Sequence, residues 1–429
     1  MLSFQHHSSP PDSMTDSTMD PNNVIIIGAG PVGLFSALLL AQSGIKVTVF
    51  DADEGICRSP RAVVQLPAAN LEFAKAGILQ EVLDVGHRSD DGVCWRDGID
   101  TTKILADLTP PPSGNPNICA AMLGQHELCQ IFLKHLYSTG NGRVIFNHAF
   151  VRAEDHGASV DVHVRRTLDD QELTFNCRYL IGADGGRSAV RKHLDLPLEG
   201  YTWKGIRLVA VNILYDLDKY GWKGGNFIVH PADWAIVVKR GKGPQWRIAT
   251  SLPFFEGPDG EPLEDKTVFP AIKERVARLL PGNTDEVVYT QAAPYAIHQR
   301  CVPQYRVKNI LLAGDAAHLN NPVGGLGLTT GVLDAAHLAQ ALRKVLIDKA
   351  PDAVLDEYAK TRRDVFTKQT DALSTANLLR LRSSAPADVV ERENFFKALE
   401  DPTDIKGIVE VLSKEMRLST TLDPIEVKP

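Results

Sequence analysis

The sequence has no surplus of basic residues. Its 46 Lys and Arg stand against 53 Asp and Glu, a formal net charge of −7. Such a chain has little to displace counterions from a phosphate backbone, so nucleic-acid binding is not expected. Cysteine is sparse. The six, Cys57, Cys94, Cys119, Cys129, Cys177 and Cys301, form no CxxC pair and none has a histidine at zinc-ligand spacing, so no metal site is expected. In a chain of 429 residues they read as reduced, mostly buried thiols of a cytoplasmic protein. Uninterrupted apolar runs are missing too. The longest, 24–41, is broken by Gly28, Gly30, Pro31 and Gly33 and is marginal in length for a bilayer, so no membrane span is expected. Residues 1–22, rich in Ser, Pro, Asp and Met, have no basic segment leading into an apolar core. They read as a flexible tail rather than a signal peptide. No internal repeat is visible, and low complexity is confined to that tail and to ADLTPPPSGNP near residue 110.

What remains is ordinary globular composition, 44% hydrophobic and 23% charged, with length for two or three domains. Three stretches read as strand–turn–helix units. In VIIIGAGPVGLFSALLLAQSGIKVTVFDAD, Val24 to Asp53, a β-branched strand runs into a glycine-rich turn. A helix of roughly three turns follows, then a second strand, Val47 to Phe50. Apolar strands without alternation belong to a parallel sheet covered on both faces. The second stretch is 175–194 and the third 307–346. Between them, from about Gly200 to Thr290, short apolar runs alternate with Gly, Pro and Asp, the texture of an antiparallel sheet. Four of the five tryptophans (Trp203, Trp222, Trp234, Trp246) fall in that block, as sheet packing or as cover for an aromatic ligand. Beyond about residue 350 the chain reads helical, with Pro386 and Pro402 as breaks.

The first turn, Gly28-Ala29-Gly30-Pro31-Val32-Gly33, has the pattern that binds a pyrophosphate. Gly28 permits the turn, Gly30 lets the backbone approach the phosphates, Gly33 lets helix and strand pack closely, and the helix N-terminus offers free amides. Asp51, ending the next strand, is placed to accept hydrogen bonds from a ribose. A lone GxGxxG is weak evidence, and this one does not separate FAD from NAD. The third stretch does. Asp315 stands at the carboxyl end of the apolar strand Ile310–Ala313, where a ligand crevice lies. The run Pro322-Val323-Gly324-Gly325-Leu326-Gly327-Leu328-Thr329-Thr330 then leads into a helix. Its N-terminus suits the charged N1–C2=O2 edge of a reduced flavin.

With GAGPVG first, ADGGRSAVR at 183–191 second and AGDAAHLNNPVGGLG at 313–327 third, the chain from Val24 to Leu346 resembles the FAD-dependent aromatic monooxygenases of the para-hydroxybenzoate hydroxylase type. The resemblance implies an α/β fold. A Rossmann-like FAD-binding domain would span 23–95, 118–195 and 295–350. A mainly antiparallel substrate sheet would be inserted at 96–117 and 196–294, followed by C-terminal helices over 351–429. It implies that Asp51 binds the adenosine ribose and Asp315 the ribityl chain. Gly325, Gly327, Leu328 and Thr329 would meet the pyrimidine edge, and the backbone of Pro322 the reacting edge. Arg61 and Gln125 match flavin-contacting positions, while Asp184 and Arg187 belong to the motif that meets FAD and NAD(P)H. There are departures. Asp51 replaces the commoner glutamate, Thr329 replaces an asparagine, and neither a thioredoxin-like extension nor a second GxGxxG is found.

The implied cycle reduces FAD with NADPH or NADH, forms a flavin C4a-hydroperoxide with O2 and hydroxylates an aromatic substrate. Phenols are the first expectation, and polyketide or other secondary-metabolite aromatics are included. A homodimer is one assembly left open. A basic or polar residue on the substrate side should activate the substrate. Candidates are Arg207, His230 and Tyr295, followed by Tyr201 and His298. His230 titrates near working pH, yet before Pro231 it reads equally as a turn residue. Arg207 could anchor a phenolate or stand exposed on a strand. Alternation puts Tyr295 and His298 on opposite faces, so at most one should meet substrate, and His318 should pack beneath the flavin loop. Baeyer–Villiger, epoxidising or dearomatising oxygenation on the same fold is the first alternative. A non-catalytic protein similar in scaffold to GDP-dissociation inhibitors is the second. A halogenase is disfavoured by the absence of Trp-x-Trp.

Overall fold

A computed structural model describes residues 22–109, 119–252, 265–401 and 403. The expected tail up to residue 21, most of the ADLTPPPSGNP loop, Pro402 and the end of the chain lie outside the described residues.

Val24–Ile27 pairs in parallel with Val47–Phe50 on one side and Tyr179–Gly182 on the other. Every side chain of these three strands is buried, which is why their sequences lack alternation. They are the centre of a six-stranded sheet completed by Gly142–Ile145, Ile310–Leu312 and the short Arg306–Val307. The helix Pro31–Gln42 follows the first strand at once, with proline at its first turn, where no N–H is needed. A Cβ on Gly33 would fall 2.0 Å from the carbonyl oxygen of Gly28, so only glycine lets this helix lie against the turn. Against that helix pack Gln125–Ser138 and Leu326–Leu346. Phe35 meets Phe73 edge-on at 5.3 Å and Phe132 at 5.1 Å.

A second sheet of eight strands runs His318–Leu319, Val288–Cys301, Glu199–Leu214, Gln245–Ser251, Ala235–Lys239, Gly225–Val229, Val93–Asp97, Ile104–Leu108. It is antiparallel except where Gly225–Val229 runs parallel to Val93–Asp97. Boundaries at 95 and 295 would cut through strands, because Val93–Asp97 and Val288–Cys301 both belong wholly to this sheet. Alternation sorts its two faces. Val209, Val211, Trp246 and Ile248 face a core closed by Ile272, Val276 and Leu279 of the helix Asp265–Leu279. Burying each such side chain contributes roughly 1.5–3 kcal/mol. Ala210, Arg247, Ala249, Ile236, Val238 and Phe227 face the other way, into a cavity shared with the first sheet.

The C-terminal segment closes that cavity. Ala353–Val365 passes through one turn of π-helix, Phe366–Thr370, into Asp371–Arg382, and Pro386 opens the last described helix, Pro386–Ala398. Such wide turns gather at functional sites. Here the turn sets Phe366 against the ring of His318, with centroids 4.5 Å apart. Among the described residues no helix is long and apolar enough to cross a membrane. Cys57 is exposed, and the other five cysteines are buried and free.

Candidate active site

One cavity of about 2040 Å3 joins the two sheets. Small-molecule sites are roughly 300–1,000 Å3, so this volume suits a dinucleotide and a second ligand together. At one end lies the glycine-rich turn. Gly28 holds φ +108°, and a Cβ there would meet the carbonyl oxygen of Ala183 at 2.4 Å. Around Gly30 a Cβ would meet nothing within 4 Å, so the backbone stands bare at the helix N-terminus. Asp51 is held by two amides, accepting from Ala29 N–H at 2.6 Å and Asp53 N–H at 2.9 Å. Burial nonetheless raises its carboxyl above the usual range.

Asp184 accepts from the first amides of the helix Ala189–His193, Ala189 N–H at 2.6 Å and Val190 N–H at 3.1 Å, and burial raises its carboxyl too. The buried Arg191 of the same motif donates to the carbonyl of Ala316 at 3.2 Å and that of Gly186 at 3.0 Å, tying the second motif to the third. Asp315 sits deep in the fold with its side chain open to the cavity, and its carboxylate accepts no hydrogen bond among the described residues. Burial raises its pKa, against the pull of His318 and Arg61. The loop is anchored from beneath by a buried charge network. Asp334 accepts from His318 Nε2 at 2.6 Å, Arg362 Nε at 2.6 Å and the Gly314 amide at 3.0 Å.

The sheet side of the cavity is apolar and aromatic, with Trp95 stacked on Phe227 at 5.4 Å. Two buried guanidinium groups interrupt it, Arg247 from the sheet and Arg380 from the helix Asp371–Arg382, and among the described residues the carboxylate on this side is the exposed Asp90, paired with Arg88 at 2.8 Å. Arg247 is 5% exposed and donates Nε to Asn212 Oδ1 at 2.7 Å. Its terminal nitrogens find no acceptor among the described residues. Burial, then repulsion from Arg240, lowers its pKa to about 10. Tyr295 stands near it, and burial drives its phenol well above the ordinary range, so the hydroxyl stays protonated.

A family model described as an FAD binding domain matches residues 22–372. Over 378 residues the chain is 36% identical to a para-nitrophenol 4-monooxygenase of Pseudomonas sp. (strain WBC-3), covering 88% of this chain and 91% of that protein. Over 366 residues it is 32% identical to a 6-hydroxy-3-succinoylpyridine 3-monooxygenase of Pseudomonas putida (strain DSM 28022 / S16), covering 85% and 90%. The crystal structure of a p-nitrophenol 4-monooxygenase from Pseudomonas putida DLL-E4 superposes with a TM-score of 0.84 and 32% identity, over 92% of this chain and 98% of that one. The chain belongs to the FAD-dependent aromatic hydroxylases of the para-hydroxybenzoate hydroxylase type. A non-catalytic role on this scaffold is set aside.

The hydroxylase's cavity fits the cofactor its family carries. A bare carboxylate at Asp315, open to the cavity, calls for hydroxyl donors, and the open backbone at Gly30 for an anion. The start of Leu326–Leu346, behind the left-handed Gly325 (φ +68°), has N–H groups without intrahelical acceptors. Of the residues expected to hold FAD, Gly28, Gly30, Asp51, Arg61, Gln125, Asp184, Asp315, Pro322, Gly325, Gly327 and Leu328 line the cavity, as does Arg187. Gly33 and Thr329 do not. Gly33 lies behind the turn. Thr329 is fully buried and donates its hydroxyl to the Gly325 carbonyl at 3.2 Å.

The substrate-side expectations fare differently. Tyr295 lines the cavity, but Arg207 and His230 do not. His230 Nδ1 accepts from the amides of Ala232 at 3.2 Å and Asp233 at 2.8 Å, so it serves the turn at Pro231. Arg207 sits where the hydroxylase's longest strand loses register, between Thr202 and Arg207, on a stretch turned from the cavity. That irregularity also undoes the expected alternation, and both Tyr295 and His298 line the cavity. Tyr201 is exposed. None of the four clustered tryptophans reaches it; Trp95 does. His318 packs beneath the flavin loop as expected, and Arg247, Asn377 and Arg380 were missed. The alternation W-R-I-A in Gln245–Ser251 could have flagged Arg247, whereas nothing local marks Arg380.

Proposed function

We propose that this hydroxylase binds a single-ring hydroxyarene as its phenolate and oxygenates it at the carbon para to the hydroxyl. The carrying observation is the charge of the substrate walls: two buried guanidinium groups, Arg247 and Arg380, and among the described residues no buried carboxylate, set among Trp95, Phe227 and Phe395. An apolar wall with buried cations that no buried carboxylate neutralises favours a flat anion, since an anion restores what burial took from the guanidinium. The two relatives support the position. In para-nitrophenol 4-monooxygenase and 6-hydroxy-3-succinoylpyridine 3-monooxygenase alike, the numbered carbon lies para to the hydroxyl and already bears the second substituent.

Bound FAD would supply the oxygenating chemistry, with electrons from NADPH or NADH and the oxygen atom from O2. In this reading Gly28, Gly30, Asp51, Asp315 and the Pro322–Leu328 loop hold the flavin. The guanidinium groups keep the substrate ionised, which pushes electron density to the para carbon. The neutral Tyr295 hydroxyl donates a hydrogen bond, and the apolar wall excludes water.

The test is NAD(P)H oxidation by the purified holoenzyme across 4-substituted phenols, hydroxypyridines and polycyclic phenols, with product analysis. A small para-substituted phenol should stimulate oxidation and yield a product with new oxygen at the para carbon. Stimulation only by polycyclic phenols, or peroxide as the sole product with every compound, would overturn the proposal.

A further inference from the structure

The far wall of the substrate chamber comes from two helices that no motif announced, Asp371–Arg382 and Pro386–Ala398. A polar pair lies there inside apolar surroundings. Asn377 and Arg380, one helical turn apart, both line the cavity, and Arg380 Nη1 donates to Asn377 Oδ1 at 2.6 Å. Asn377 Nδ2 in turn reaches the Val323 carbonyl at 3.5 Å, so the pair sits beside the Pro322–Gly325 loop. Arg380 is 4% exposed, and its guanidinium carbon lies 3.7 Å from the ring centroid of Phe395. That ring meets Trp95 edge-on at 5.3 Å, and Trp95 stacks on Phe227 at 5.4 Å. The cation therefore ends a continuous aromatic wall.

A helix staple would explain part of this. Arg380 Nη2 donates to Glu391 Oε1 at 2.9 Å, joining the two helices. But Glu391 is half in solvent, 52% exposed against 5% for the Arg380 side chain, so it screens the buried charge weakly. Arg380 Nε, also buried, has no acceptor. A staple accounts neither for that nitrogen nor for a guanidinium facing a cavity. Arg247, the other cation, stands one row along the sheet, paired with Val238 rather than in the Ala249–Ile236–Phe227–Trp95 row. Beyond it Arg240 pairs with Glu127 at 2.7 Å, on the helix Gln125–Ser138 of the cofactor side.

We propose that Arg380, held by Asn377 and Phe395, binds the anionic oxygen of the substrate ring and gives the chamber its preference for phenolates over neutral arenes. The assignment rests on the reading of the chamber as a hydroxyarene site. The aromatic wall receives the ring and the guanidinium its oxygen, leaving the para carbon directed away from Arg380.

The probe is 4-nitrophenol, yellow as the anion and colourless as the acid, titrated into FAD-loaded enzyme at several pH values. In wild type the bound ligand should be more ionised than free ligand at the same pH. Arg380→Met should abolish that excess and weaken binding roughly ten- to hundredfold, leaving neutral nitrobenzene unaffected. Unchanged affinity and ionisation in Arg380→Met would overturn the assignment alone. If no hydroxyarene bound wild type, the substrate reading would fall first and this assignment with it. Glu391→Gln covers a variant that loses its flavin. Removing the counter-ion should increase the ionised fraction of bound 4-nitrophenol, and no increase counts against the role.

Discussion

The backbone N–H of Asn321 donates to the side-chain carbonyl of Gln299 at 2.7 Å. The Asn321 side-chain amide adds a second bond to the same oxygen at 3.0 Å, while Gln299 Nε2 donates to Asp371 Oδ1 at 2.6 Å and Ser374 Oγ at 3.0 Å. One buried amide thus joins the substrate sheet, the loop before Pro322 and the helix that carries Arg380. Gln299→Leu keeps the volume and leaves these groups unpaired, at a cost of about 1–3 kcal/mol for each buried group left without a partner. We expect a melting temperature lower by several degrees and less product per NAD(P)H oxidised. Unchanged coupling would show that the loop keeps its place without Gln299.

Asp315→Ala should purify largely free of flavin, read as flavin absorbance per protein after gel filtration. Full retention would remove Asp315 from the cofactor site. Gly28→Ala should lose flavin as well, since both its φ of +108° and the 2.4 Å approach of Ala183 exclude a side chain.

Asp51, Asp184 and Asp315 all have carboxyl pKa values raised, by burial first. A raised value means the empty cavity takes up protons at a higher pH than the unfolded chain does, whereas accepting hydroxyl donors requires the ionised form. Flavin affinity should therefore be complete at neutral pH and fall as pH drops through the raised values. Dialysis at stepwise lower pH should begin to release flavin above the ordinary aspartate value of ~3.9. A release midpoint at or below the ordinary value would contradict this.

Asp334 has the opposite sign. Burial pushes its carboxyl up, but Arg362 and His318 outweigh it and hold the pKa below the ordinary value. Its contribution to stability is present above the unfolded-state value and is lost as pH falls through the folded one. Asp334→Asn leaves Arg362 buried and uncompensated, a loss of about 3–5 kcal/mol. Thermal melts should show that loss at neutral pH and a smaller difference from wild type in acid.

Arg247 is a buried cation without a carboxylate partner. Arg247→Met should leave the flavin-free protein as stable as wild type or more so, because an uncompensated charge is removed. It should weaken binding of 4-nitrophenol. A clear fall in melting temperature of the apoprotein would show that Asn212 compensates the charge.

The cofactor end was legible because its chemistry needs backbone, and backbone demands leave local marks. Gly28 must hold a positive φ, Gly33 must let a helix touch a turn, and Asp315 must follow an apolar strand. Each requirement constrains a few consecutive residues, so the sequence alone determined the parallel sheet, the glycine-rich turns and the carboxylates that face the cavity. The substrate end is assembled from side chains far apart in the chain. Trp95, Arg247 and Arg380 meet because a parallel strand pair brings Val93–Asp97 into the sheet and a π-turn redirects the last helices over it. Strand register decided that Arg207 would turn from the cavity and that both Tyr295 and His298 would line it, and the turn at Pro231 claimed the ring of His230. A charge inside an apolar chamber is stable only where the surrounding walls position and partly compensate it, and only the tertiary structure brings those walls together.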